Sequence, residues 1–94
     1  MFSWDERKNR ANRKKHGVSF DLALEVFDDP FQLSTLERIE NGEERWQTIG
    51  MVDDTMLLLV VHLWEDLETG EEHIRIISAR RATAHERARY EKRR

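Results

Sequence analysis

The chain has no cysteine, which excludes disulfide staples and thiolate metal sites. It has one proline and four glycines, too few for a Pro-rich linker or a low-complexity tract. Long apolar runs are missing too. The longest, Met56 to Val61, falls far short of the roughly 20 residues that cross a bilayer. The N-terminal MFSWDERKNR passes straight into charge and lacks the apolar stretch of a signal peptide. Ninety-four residues predict one domain, 1–94, near the lower limit of what folds without staples. The expectation is a soluble cytoplasmic protein with no membrane contact.

Charge, by contrast, is abundant and segregated. Charged residues make up 37% of the chain, against about 25% in an average domain. Residues 1–17 carry six basic and two acidic groups, a local charge of +4. Residues 80–94 carry seven basic and two acidic groups, or +5. Between them, 18–79 has three basic and fifteen acidic residues, or -12. Basic ends and an acidic centre can build one surface for polyanions and another for a basic partner. They are equally compatible with solvated helix faces.

Periodicity places the elements. Asp5 caps a helix that runs to Lys15 or His16, with Gly17 as its stop. That helix has almost no apolar face, Ala11 being its one interior apolar residue. Ser19 caps a second helix, whose Phe20, Ala23, Leu24 and Phe27 recur at helical spacing until Asp28-Asp29-Pro30 ends it. Strands follow from Phe31, from Arg45 to Val52, from Met56 to Trp64 and from His73 to Ala79. Asn41-Gly42 and Asp53-Asp54 mark turns, and Glu65 to Glu72 forms an acidic loop. Thr83 and Glu86 make a capping box that opens a C-terminal helix reaching toward Arg94. The expected fold is α+β: two N-terminal helices, an antiparallel sheet of three or four strands with a possible short N-terminal strand, and a final helix. The helices should cover one sheet face and leave part of the other to a ligand.

Several side chains suggest chemistry. Cleavage of RNA by its own 2′-OH needs a base, an acid and positive charge on the phosphorus oxygens. Arg75, Arg80 and Arg81 lie on or just past the last strand, and guanidinium forks suit phosphate. On a regular strand Arg75 and Arg81 share a face and Arg80 points the other way. They can equally pair with the acidic middle. His62, inside an apolar strand, is either an acid–base group or a satisfied core histidine. Lys8 and Arg13 belong to a basic helix surface that can hold a phosphate backbone or simply face solvent. Tyr90 can stack on a base or pack on the sheet. His16, His73 and His85 receive no catalytic role, and the four histidines lack the spacing of a zinc site. A helix-turn-helix reading of the N-terminus fails, because its second helix carries Asp21, Glu25, Asp28 and Asp29 and no basic residue.

Taken in order, WDERKNRANRKKHGVSF (4–20), ALEVFDDP, EERWQTIG (43–50) and IRIISARRAT (74–83), with Glu86 and Tyr90 after it, resemble the BrnT ribonuclease toxins of type II toxin–antitoxin systems. The resemblance covers nearly the whole chain. It implies a compact RelE-like α+β fold and RNA cleavage without metal or organic cofactor. It also implies a BrnA-like antitoxin with a ribbon-helix-helix domain, in a heterotetramer that reaches DNA only through the antitoxin. Lys8, Arg80 and Arg81 are the positions it carries over, with Arg75 as a further candidate; His62 has no anchor in the family pattern. The alternative is a non-catalytic RNA- or protein-binding module.

Overall fold

A computed structural model describes residues 1–93; the expected helix end at Arg94 lies outside them. The elements run β1 (Phe2–Ser3), α1 (Glu6–His16), α2 (Phe20–Ala23), a 3-10 segment (Leu24–Asp28), β2 (Leu33–Glu40), β3 (Glu43–Val52), β4 (Met56–Asp66), β5 (Glu72–Arg81) and α3 (Ala84–Arg93). The sheet has five strands in the order β1-β5-β4-β3-β2. The expected meander β2 to β5 is antiparallel. The N-terminal strand adds a parallel edge, Phe2 opposite Ile74 and Ser3 opposite Arg75.

Local chemistry explains the boundaries. The Asp5 carboxylate accepts the Arg7 N–H at 2.8 Å and starts α1. Gly17 takes the left-handed conformation that ends it. Asn41 and Gly42 both have positive φ, as do Asp53 and Asp54, the twist that tight hairpins require. The second helix is shorter than its apolar stripe predicts. It tightens to 3-10 geometry at Leu24, and Val26 then lies directly on the sheet at Gly50. A Cβ on Gly50 would fall 2.7 Å from Val26 Cβ, so only glycine permits this approach.

The helices do not all cover one face, as the sequence suggested. Val18, Phe20, Ala23 and Val26 bury Leu58, Val60, Ile74, Ile76 and Ala79 on one side. On the other, Tyr90 of α3 packs with Ile49, Leu57 and Leu59. The run Leu57–Val61 is buried throughout because its alternate side chains enter two cores. Tyr90 also donates its hydroxyl to Asp29 Oδ2 at 2.5 Å. Asp29 in turn accepts the Met51 and Phe31 N–H groups.

The basic helix α1 docks by polar contacts. Asn9 and Asn12, three apart and so on one helix face, are both buried. Asn9 Oδ1 accepts the Phe20 N–H at 2.9 Å. Asn12 Nδ2 donates to Val18 O and Ala79 O, and its Oδ1 accepts the Ala79 N–H. This explains how a helix without an apolar stripe packs.

Candidate functional site

Helix α3 covers only one end of its sheet face. Beyond it the face is open, and strand register orders it into rows. The first row is Leu33, Ile49, Leu59 and Arg80; the second is Thr35, Gln47, Val61 and Ser78. Arg38, Arg45, Leu63 and Arg75 form the third, continued by Ser3 on β1. Glu65 and His73 form the last paired row on this face.

A β-bulge decides which arginines belong here. Ile76 lies opposite His62 but Ser78 lies opposite Val61, so Ile77 is an extra residue in β5. One extra residue reverses the alternation beyond it. Arg80 therefore pairs with Leu59 and shares the open face with Arg75, while Arg81 pairs with Leu58 on the helix-covered side. This overturns the expected pairing of Arg75 with Arg81, which rested on a regular strand.

The cations of the open face differ in what holds them. Arg80 meets Glu86 in bidentate fashion, with Nη–Oε distances of 2.8 and 2.9 Å. Glu86 also accepts the Thr83 N–H, and Thr83 Oγ1 accepts the Glu86 N–H, which completes the predicted capping box. The Arg80 hydrogen bonds, helped by Thr83, lower the Glu86 pKa to about 2, and the same carboxylate raises that of Arg80. Arg45 Nε lies 3.3 Å from Glu37 Oε1 but without hydrogen-bond alignment. Arg89 of α3 reaches Thr35 Oγ1 at 3.2 Å. Arg75 is half-buried and, among the described residues, has no carboxylate within ion-pair distance.

At the far end the two hairpins separate. Pairing of β3 with β4 stops at Arg45 and Leu63, while β4 and β5 stay paired to Asp66 and Glu72. A cleft of about 540 Å3 opens there, lined by Leu63, Glu65, His73 and Arg75 and by Glu43 and Trp46 across the gap. His73 is 21% exposed. Its Nε2 lies 2.8 Å from Ser3 Oγ, and its Nδ1 lies 3.0 Å from Glu65 Oε1.

The other predicted residues fall elsewhere. His62 is fully buried under the helices, edge-on to Phe27. Its Nε2 is 2.7 Å from Thr48 Oγ1, which meets Ser34 Oγ at 2.8 Å. Its Nδ1 lies 3.3 Å from Leu63 O. Burial lowers its pKa to about 4. Such a group is a satisfied core histidine, and it cannot meet a substrate on either surface. Tyr90 likewise has its ring in the core, so the stacking role is withdrawn in favour of packing. Lys8 and Arg13 are exposed on α1, about 70° to either side of the stripe made by Asn9 and Asn12 at 100° per residue. Arg10, Arg13, Lys14 and Gly17 line a shallow cationic depression. Arg81 lies on this same side of the sheet.

Sequence reasoning missed Arg45, Arg89, Ser3, Glu65 and His73. Their grouping depends on pairings between distant segments, and the available signal was weak. The three basic residues of the acidic middle are Arg38, Arg45 and Arg75, and all three lie in one row.

Comparison with known proteins fits this geometry. The sequence model of the family described as ribonuclease toxin, BrnT, of type II toxin-antitoxin system, matches residues 4–86. No curated protein matches the chain. Among solved structures, the Brucella abortus ribonuclease toxin BrnT aligns with a TM-score of 0.59 and 27% identity, over 88% of this chain and 99% of that one. With the family pattern spanning most of its length and the fold shared, this chain belongs to the BrnT family of ribonuclease toxins of type II toxin–antitoxin systems.

Proposed function

We propose that this protein is an endoribonuclease toxin that seats single-stranded RNA on the open sheet face and cleaves it by attack of the 2′-OH, with no resident metal or organic cofactor. One observation carries the reading. The only three cations in a strongly acidic stretch of sequence stand in one cross-strand row, and Arg75, in that row, has no carboxylate partner among the described residues. Arg38 and Arg45 lean on Glu37 and Glu40, so in that row the Arg75 fork is the one left to stabilise the added charge on a phosphorane-like transition state. Arg75 and Arg80 stand opposite Leu63 and Leu59 of β4, four rises of 3.4 Å or about 14 Å apart, so they engage different phosphates of one strand. Arg81, Lys8 and Arg13 contact backbone phosphates from the α1 side.

The family assignment implies an antitoxin. We infer a BrnA-like partner with a ribbon-helix-helix domain, forming a heterotetramer in which the antitoxin alone touches DNA. The acidic α2 and 3-10 segment supports that division, since Asp21, Glu25 and Asp28 would repel a duplex. The site of action is the cytoplasm. No described helix is long and apolar enough to cross a membrane.

The deciding experiment incubates purified protein with RNA in excess EDTA. Wild type cleaves. Joint replacement Arg75→Ala and Arg80→Ala lowers the rate by about 100-fold or more, the scale for lost transition-state donors. Undiminished cleavage by the folded double variant would remove the arginine site, and a rate that vanishes in EDTA and returns with a divalent ion would remove the metal-free mechanism.

A further inference from the structure

The open face holds phosphate-binding cations, but arginine does not move protons at neutral pH. We propose that His73, oriented by Glu65, is the catalytic residue that takes the proton from the attacking 2′-OH; this rests on the ribonuclease reading above. The geometry is that of a base with an orienting partner. A carboxylate can only accept, so the 3.0 Å contact to Glu65 puts the ring proton on Nδ1. In the neutral ring Nε2 then carries the lone pair, and it faces a hydroxyl, Ser3 Oγ, at 2.8 Å. The Ser3 hydroxyl marks where a substrate 2′-OH is received.

Position supports the role. His73 is two residues from Arg75 on the same strand face, about 6.8 Å along the chain, and both line the cleft between the hairpins. Arg45 stands in the Arg75 row two strands away. A phosphodiester held on that row presents its 2′-OH to His73. In the step, the 2′ oxygen gives its proton to Nε2 and bonds to phosphorus. The bond from phosphorus to the 5′ oxygen breaks, and the departing oxygen takes a proton from water. The products are a 2′,3′-cyclic phosphate and a 5′-hydroxyl, and the imidazolium returns its proton to solvent. The charged groups lining the same cleft are Glu65 and Asp66 of β4, Glu72 and Arg75 of β5, and Glu43 and Glu44 of β3, and the Met1 ammonium donates to Glu72 O beside it. The carboxylates keep the base at the rim of the cationic face. They disfavour bound phosphate beyond the Arg75 row and so limit which phosphodiester reacts.

The test uses the full chain and a short single-stranded RNA labelled with a fluorophore and a quencher. His73→Gln lowers kcat by about 100-fold or more with KM nearly unchanged, and it removes the acidic limb of the pH–rate profile. Glu65→Gln, which frees the ring from its tautomer, lowers kcat by roughly tenfold. His85→Gln, exposed on α3 and outside the cleft, keeps kcat within about threefold. If the loss in His73→Gln follows a lowered denaturation midpoint, with kcat per folded molecule kept, the side chain merely fastens β1 and the proposal is wrong. If His73→Gln cuts normally while the Arg75 and Arg80 double variant does not, the base lies elsewhere and the ribonuclease reading survives. Failure of wild type to cut the RNA overturns both.

Discussion

Each face of the sheet carries a histidine with a hydroxyl at Nε2 and an oxygen acceptor at Nδ1. His62 meets Thr48 at 2.7 Å and a backbone carbonyl, at 0% exposure. His73 meets Ser3 at 2.8 Å and a carboxylate, at 21% exposure. The hydrogen-bond pattern is nearly the same, yet only one ring can do chemistry. Burial denies His62 its charged form, whereas His73 lines an open cleft beside the Glu65 carboxylate. Residue type did not separate them; surroundings did.

Of the two rings, His62 carries the larger expected effect on stability. His62→Ala opens a cavity and removes one of the two partners of Thr48 Oγ1, costing about 3 kcal/mol or more of stability, readable by chemical denaturation. The folded fraction should still cleave RNA at the wild-type rate; a selective loss of kcat would return His62 to the catalytic account.

Acid should act through the same ring. Its pKa falls from the ordinary 6.5 to about 4 in the folded protein, so between those values the unfolded chain binds more protons. Stability is therefore full above about pH 6.5 and declines as pH falls toward 4, by up to roughly 3 kcal/mol from this group. Denaturant midpoints at several pH values, compared with His62→Leu, check it. The variant should show a flatter profile across that window.

On the open face, Glu86→Gln keeps a capping side chain but releases Arg80 from its ion pair. RNA affinity should rise about two- to fivefold while stability falls by roughly 1 kcal/mol, measured by fluorescence anisotropy and thermal melting. The smallest effects belong to Lys8→Ala and Arg13→Ala. Each should weaken RNA binding a few-fold and reduce the slope of log affinity against log salt by about 1. No change in slope would leave α1 as solvated surface.

Legibility in the sequence followed the range of the interactions. The α1 caps, both hairpin turns, the Thr83–Glu86 box and the antiparallel meander depend on near neighbours and could be read. The bulge at Ile77 could not, because nothing local marks the extra residue, and it exchanged the faces of Arg80 and Arg81. The docking of α1 was hidden because a buried asparagine looks like any surface asparagine in a charged helix. The row of Arg38, Arg45 and Arg75, and the meeting of Ser3 with His73 and Glu65, depend on register between segments far apart in the chain. His62 drew attention because it interrupts an apolar strand, while His73, at the end of an acidic loop, was given no role.

The Asn12 side chain has a consequence beyond fastening a helix. Beta-1 pairs only at Phe2 and Ser3, so further along β5 it leaves that edge uncovered. There the Asn12 amide bonds both the N–H and the C=O of Ala79, as a neighbouring peptide group would. It thereby closes a site where another chain's strand could add. Loss of this amide would turn a helix contact into an adhesive strand edge, and self-association would accompany any loss of stability.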